Sequence, residues 1–273
     1  MEIGSREKTI LDRIVDARRA SIAHRKRVLP EVALKIAAGK KAPPARDFAG
    51  AISRGGLNVI AELKRASPSL GVIREEYAPA ALASELEQAG AAALSVLTEE
   101  DFFSGSLADL KEARRVAEIP ILRKDFIVDP WQVWEARAAG ADSFLLIAAV
   151  LSDAALGELL GLGRSLGMEP LVEVHSREEL DRVRRAGARV IGVNNRDLHN
   201  FDVRLETSLE LIERIPEDCV AVSESGLRAH EDLARLQRAG FDAFLIGERL
   251  MKSVSPGETL RQFLGVSEAR QKS

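Results

Sequence analysis

The stretch VIAELKRASPS (59–69) decides the fold: an apolar run carries Glu62, closes on Lys64 and gives way to loop chemistry rather than to more strand. PILRKDF (120–126) repeats the arrangement, with Lys124 closing the run. Ammonium groups at the ends of parallel strands point into a shared site, so the repeat indicates an enzyme that handles an anionic substrate. Further apolar runs lie at 93–98, 143–148, 170–174, 190–195, 220–224 and 243–247, which with 58–64 and 120–125 makes eight.

Successive runs begin roughly 20 to 35 residues apart, the length of one strand, one helix and two loops. Each interval sets apolar and charged residues at three- and four-residue steps, predicting helices over 79–89, 107–116, 132–139, 154–166, 177–186, 208–214 and 231–239. Four of these stop at a glycine, Gly90, Gly140, Gly187 and Gly240, as a helix C-terminus does. The runs are rich in Val, Ile and Leu with little alternation, as strands covered by helices on the outside and by a core on the inside should be. The predicted fold is α/β, a (β/α)8 TIM barrel with an N-terminal helical extension; a doubly wound open sheet is the alternative. Such a barrel takes roughly 250 residues, and the chain has 273. The extension is assigned to 1–50, with helices over 7–27 and 30–38 and a break at APPA (42–45), and the barrel to 51–273. The extension is expected either to close over the site or make a subunit contact, or to cap the bottom or side of the barrel.

Composition narrows the class. A formal charge of −3 from 39 basic and 42 acidic residues leaves no basic excess, which argues against nucleic acid as a partner. No apolar run approaches the roughly 18 residues that span a membrane, so a cytoplasmic protein without a membrane partner is expected, a monomer or weak oligomer. Cys219 is the only cysteine and reads as an inert thiol before a buried strand. The four histidines, His24, His175, His199 and His230, show no HxH or HExxH spacing, so no metal site is indicated.

Strand parity groups the chemistry, because alternate side chains of a barrel strand point inward and the C-terminal ends build the active site. If Lys64 points inward, so do Glu62 and Ile60; if Lys124 does, so does Leu122, while Arg123 and Asp125 face the helices. The matching inward positions further on are Glu173, Asn194 with Arg196 beyond it, and Glu224. A second constellation lies in SESGL (223–227) and LIGERL (245–250), after the last two strands, where barrels often hold a phosphate on backbone N–H groups. Gly226 and Gly247 would let the backbone approach such an anion, with Lys64 as a cation in reach. SPSLG (67–71) reads as a hydroxyl-rich loop long enough to cover the mouth, with Ser67 a donor to a substrate oxygen. Phe102, Phe103 and Phe126 stand out in a chain with 4% aromatics and are either core or the wall of an aromatic pocket.

Taken in order, IAELKRASPS, SVLTEEDFFSGS, ILRKDFIVD, LLIAAVL, EPLVEVH, IGVNNRDL, VSESGL and AFLIGERLM resemble the indole-3-glycerol phosphate synthase family over 58–251, touching all eight predicted strands. The resemblance implies that Lys124 is the general acid, Glu173 the general base, and Lys64 a cation that orients substrate or acts as a second acid. It implies polar active-site roles for Glu62, Asn194, Glu224 and Ser225, and an arginine near the substrate in Arg196. Phosphate would rest on Gly226, Gly247 and the Glu248 backbone N–H, and Phe103, Phe126, Ile147 and Leu198 would hold the anthranilate ring. Leu70 follows SPS where many members carry lysine, and Glu248 follows the strand-eight glycine where some carry serine; neither removes a proposed catalytic group.

The reaction so implied turns 1-(2-carboxyphenylamino)-1-deoxyribulose 5-phosphate into indole-3-glycerol phosphate, carbon dioxide and water. An ammonium beside the ribulose carbonyl makes it electrophilic toward the aromatic ring, and dehydration then needs a base and an acid. Glu173 suits the base, while Lys64 and Lys124 compete for the acid. No redox carrier, Schiff base or metal is called for, so no cofactor is expected. The alternatives are a lysine Schiff-base aldolase and a phosphate-ligand-binding barrel without turnover, or a domain active only inside a larger assembly.

Overall fold

The computed structural model describes residues 8–40, 42–197 and 202–266. Three helices come first: α1 (Ile10–Val28), α2 (Glu31–Lys40) and α3 (Phe48–Ile52). The eight apolar runs are strands β1 (Asn58–Leu63), β2 (Ala93–Leu97), β3 (Ile121–Lys124), β4 (Ser143–Ile147), β5 (Leu171–Val174), β6 (Val190–Asn194), β7 (Val220–Glu224) and β8 (Ala243–Ile246). Every neighbouring pair is parallel, and β8 pairs back onto β1, so the sheet closes into a barrel rather than remaining an open sheet. The helices that follow the strands are α4 (Pro79–Gln88), α5 (Leu107–Val116), α6 (Pro130–Ala139), α7 (Asp153–Ser165), α8 (Arg177–Arg185), α9 (Glu206–Ile212), α10 (His230–Ala239), α11 (Glu248–Lys252) and α12 (Pro256–Leu264).

Local chemistry accounts for the boundaries. Ser106, Asp129, Ser152 and Ser176 each accept a backbone N–H at the start of α5, α6, α7 and α8, and Pro130 opens α6 at a position that has no donor to lose. The four predicted glycine stops all have left-handed backbone, with φ of 100° at Gly90, 95° at Gly140, 78° at Gly187 and 115° at Gly240. The outward residues Val59, Ala61 and Leu63 of β1 pack in the layer beneath the helices, whereas Ile60 belongs to the core inside the barrel with Leu122, Leu145, Leu171, Val190 and Val222. Burial on both faces explains the missing alternation.

Both alternatives for the segment before the barrel are realised, by different helices. Phe48 and Ile52 of α3 join the interior core and plug the barrel beneath the strand starts; burying a Phe side chain is worth about 1.5–3 kcal/mol. Ile22 of α1, Leu34 of α2 and Trp131 of α6 form a separate cluster on the flank, and the first turns of α1 reach the mouth. SPSLG differs from the expected loop: Ala66–Ser67 pairs antiparallel with Gly71–Val72, a minimal hairpin, because Gly71 with φ of 66° turns the chain back. The helix predicted at 208–214 is shifted to Glu206–Ile212, and α12 closes the chain where no helix was read.

Candidate active site

Register places the charged groups. Lys64 follows the last residue of β1, Lys124 ends β3, Ile147 pairs with Glu173 across β4 and β5, and Asn194 with Glu224 across β6 and β7. Parity then turns them inward. Lys124 Nζ donates to Glu173 Oε2 at 3.0 Å and to Glu224 Oε2 at 2.8 Å, and Lys64 Nζ lies 2.7 Å from Glu62 Oε1. All three carboxylates are buried, at 3%, 3% and 1% exposure for Glu62, Glu173 and Glu224. An isolated buried charge costs several kcal/mol, so the paired ammoniums are what make this cluster tolerable.

The two carboxylates that share Lys124 are not equivalent. Burial would raise Glu173, but Lys124 and His175 outweigh it and hold the carboxyl down to about 2. Burial dominates at Glu224 and, helped by repulsion from Glu173, pushes it up to about 7 against the attraction of Lys124. Burial also works against the charge on Lys124, yet Glu173, Glu224 and Glu62 more than offset it and keep the ammonium protonated. The site thus holds an ionised carboxylate, a second one that takes a proton readily, and an ammonium between them.

A cavity of about 420 Å³ opens over this cluster. Lys64, Lys124, Glu62, Glu173, Glu224 and Asn194 form its polar floor, and Ser67, Arg196 and Ser225 its polar sides. Phe103 and Phe126, with ring centroids 6.1 Å apart, and Ile147 supply the apolar wall. Phe102 is outside the lining. Ile10, Leu11 and Ile14 of α1 close the mouth from above, held by the buried Arg18, whose guanidinium lies 2.9 Å from Asp125 and 3.7 Å from Glu99. Glu99 in turn accepts the backbone N–H of Phe102 at 2.7 Å and of Phe103 at 3.1 Å, so one ion pair joins the covering helix to the aromatic wall.

The ends of β7 and β8 line the cavity with Gly226, Gly247 and Glu248. Ser225 and Gly226 both have left-handed backbone, with φ of 68° and 79°; for serine this is an uncommon conformation that sharpens the turn after Glu224. Gly247 precedes α11 and has no room for a side chain, because a Cβ there would overlap the Glu62 carboxylate. The Glu248 side chain is tied by Lys252 at 2.7 Å and lies 3.5 Å from Arg196, leaving its backbone N–H as the group at the strand end. Leu198 lies outside the described residues.

Sequence reasoning missed Gly192, where a Cβ would overlap the Glu224 carboxylate; a glycine inside a strand was the available signal. It also missed His175, whose Nε2 lies 3.4 Å from Glu173 Oε1, and the α1 residues, for which nothing local pointed to the mouth. Among the described residues no group of three or more His, Cys, Asp or Glu side chains is arranged to hold a metal ion, and no helix is long and apolar enough to cross a membrane.

Comparison with known proteins identifies a family. The family model described as Indole-3-glycerol phosphate synthase matches residues 11–263. A protein of that name from Rhodococcus opacus is 50% identical over 248 residues, covering 91% of this chain and 92% of its own. Another of that name, from Acidithiobacillus ferrooxidans, is 46% identical over 256 residues, covering 92% of this chain and 97% of its own. Among solved structures, 3-hexulose-6-phosphate synthase from Salmonella typhimurium superposes with a TM-score of 0.61 at 10% identity, over 76% of this chain and 97% of that one, a likeness of fold alone. With the family's sequence pattern running through helix, barrel and mouth alike, the chain belongs to the indole-3-glycerol phosphate synthase family, carboxy-lyases of tryptophan biosynthesis.

Proposed function

We propose that in this family's reaction Lys124 is the first general acid, Lys64 the second, and Glu173 the base. The observation that carries this reading is Lys124 suspended between Glu173 and Glu224 at the floor of the cavity. Lys124 protonates the ribulose carbonyl oxygen as the ring carbon bearing the carboxylate attacks the carbonyl carbon. Carbon dioxide then leaves, and its electron pair neutralises the cationic ring. Lys64, oriented by Glu62, protonates the departing hydroxyl, which leaves as water while Glu173 takes a proton from the ring CH2 group, the former ribulose C1, so that the indole double bond forms and the N–H is kept. Two protons enter and one leaves, and the net proton replaces the charge of the lost carboxylate. Asn194 and Ser67 orient substrate oxygens, Arg196 faces its anionic groups, and Phe103, Phe126 and Ile147 enclose the aromatic ring. The phosphate rests on the backbone at Ser225, Gly226, Gly247 and Glu248, with Lys64 in reach.

The described residues that line the mouth form a site within one chain, which supports a monomer or weak oligomer, and a phosphorylated substrate that does not cross bilayers unaided supports a cytoplasmic setting. The test is indole fluorescence during incubation with the carboxyphenylamino-deoxyribulose phosphate and a chelator. The parent should form product, and Lys124→Ala and Glu173→Gln should each lose roughly 10²–10⁴-fold in kcat. A folded parent that binds this substrate without forming product would instead favour a binding barrel. Borohydride trapping of a lysine adduct would favour an aldolase.

A further inference from the structure

Glu173 uses only one oxygen on Lys124. Its Oε1 faces His175, whose Nε2 lies 3.4 Å away, is buried and has no hydrogen-bond partner among the described residues. That separation is a few tenths of an ångström beyond a hydrogen bond. On the other side of the ring, Nδ1 lies 3.4 Å from Glu179 Oε2. Glu179 is fixed by the first turn of α8: its carboxylate accepts the His175 backbone N–H at 2.8 Å, and its own N–H donates to Ser176 Oγ at 3.2 Å. The sequence HSREE (175–179) therefore builds a helix cap and, with the same atoms, a carboxylate–imidazole–carboxylate row ending at the proposed base.

Charge balance gives the row a purpose. The floor holds three carboxylates, Glu62, Glu173 and Glu224, against two ammoniums. Once Lys124 turns toward a substrate carbonyl, Glu173 loses its nearest cation, and among the described residues His175 is the remaining basic group in contact with it. We propose that His175 is a positioning residue for Glu173, holding Oε1 in place and supplying the positive charge that Glu173 keeps when Lys124 engages substrate, with Glu179 bracing the ring. This rests on Glu173 being the base. Burial works against the imidazolium, but Glu179, Glu173 and Glu224 outweigh it and raise its pKa, which is the direction the role needs. The charged groups that act on the ring are Glu173 from β5, Glu179 from α8 and Glu224 from β7, with Lys124 behind the two floor carboxylates; the cavity beside the ring is also lined by Arg177 of α8, Arg196, Asp197, Asp202 and Arg204 after β6, and Glu210 of α9.

The test compares His175→Gln, Glu179→Gln, Glu173→Gln and the His175/Glu173 double variant, each checked for folding by thermal unfolding. His175→Gln should lower kcat about 10-fold with KM within about 2-fold, the size of effect typical when a group orienting a reacting ligand is removed. Losing a cation raises Glu173, so the acid limb of kcat/KM should move to higher pH. Glu179→Gln should do the same more weakly and, read by NMR titration of the imidazole, should lower the His175 pKa. In the Glu173→Gln background His175→Gln should add nothing. An unchanged rate and pH profile in His175→Gln, or a full additional loss in the double variant, overturns the positioning role alone. A Glu173→Gln variant as active as the parent overturns the base assignment itself and this role with it. If His175→Gln does not fold, His175→Asn carries the same readouts.

Discussion

Arg123, Lys124 and Asp125 are adjacent in sequence and end on opposite sides of the barrel wall. Outward, Arg123 is fully buried and held by several partners: its guanidinium meets Asp125 and Glu135, each at 2.9 Å, Thr98 Oγ1 at 3.0 Å and the Gln132 carbonyl at 3.0 Å. Burial would raise Asp125, but Arg123 and Arg18 outweigh it and hold the carboxyl low. Inward, Lys124 has two carboxylate partners and an open cavity. A guanidinium with fixed planar partners, and a pKa too high to surrender a proton, is suited to holding structure. An ammonium on a flexible stem can leave its carboxylates, give up a proton and return. On the proposed assignment of Lys124, the same charge one residue apart serves folding on one face and chemistry on the other, and what separates them is the partner set.

The outer face should break first and hardest under substitution. Arg123→Leu takes one of two cations from each of the buried Asp125 and Glu135 carboxylates, leaving Arg18 and Arg25, and unpairs Thr98 and the Gln132 carbonyl; it should cost about 3–5 kcal/mol in denaturant unfolding, with kcat of the folded protein within a few-fold of the parent. Arg18→Ala probes the link between the faces. It removes one of the two cations on Asp125 and frees α1 and the Glu99-held loop, so KM should rise several-fold while kcat changes by less than about 3-fold; the loss in stability should be about 1–3 kcal/mol. A kcat loss as large as that of a mouth variant would mean that α1 does more than cover the site.

The smallest effect concerns the inner face and pH. A carboxyl raised to about 7 in the folded state favours folding below its ordinary range and loses that contribution as pH rises through about 7. Thermal stability of the parent should therefore fall more between pH 5 and pH 8, on the order of a few degrees, than that of Glu224→Gln. Glu173, held at about 2, acts in the opposite sense in a lower window, where its stabilisation is lost as pH falls below the ordinary carboxylate range. Parallel pH dependences in parent and Glu224→Gln would show that Glu224 titrates as an ordinary glutamate.

The barrel was legible because parallel strands and their helices are local patterns, eight apolar runs with helical spacing in the seven intervals between them, and once Lys124 is taken as inward, parity puts Arg123 and Asp125 outward. The floor of the site followed, since strand ends of one register must meet. What was not legible depends on pairing distant in sequence. Nothing in the first half of the extension shows that Arg18 reaches Asp125 across more than a hundred residues, or that α3 plugs the barrel. Gly192 was hidden for the opposite reason: an unbroken apolar run disguises a glycine whose purpose is to leave space for a neighbour's carboxylate.

The contrast between the two faces of β3 is tested most directly by measuring kcat and the unfolding midpoint side by side for Lys124→Ala and Arg123→Leu. Lys124→Ala should lose roughly 10²–10⁴-fold in kcat with only a small fall in midpoint, because Glu224 takes up a proton and the cavity admits water. Arg123→Leu should show the reverse, a large fall in midpoint with turnover retained in the folded protein. A Lys124→Ala variant that keeps its rate, or an Arg123→Leu variant that is stable but inactive, would contradict the division of structure and chemistry between neighbouring residues.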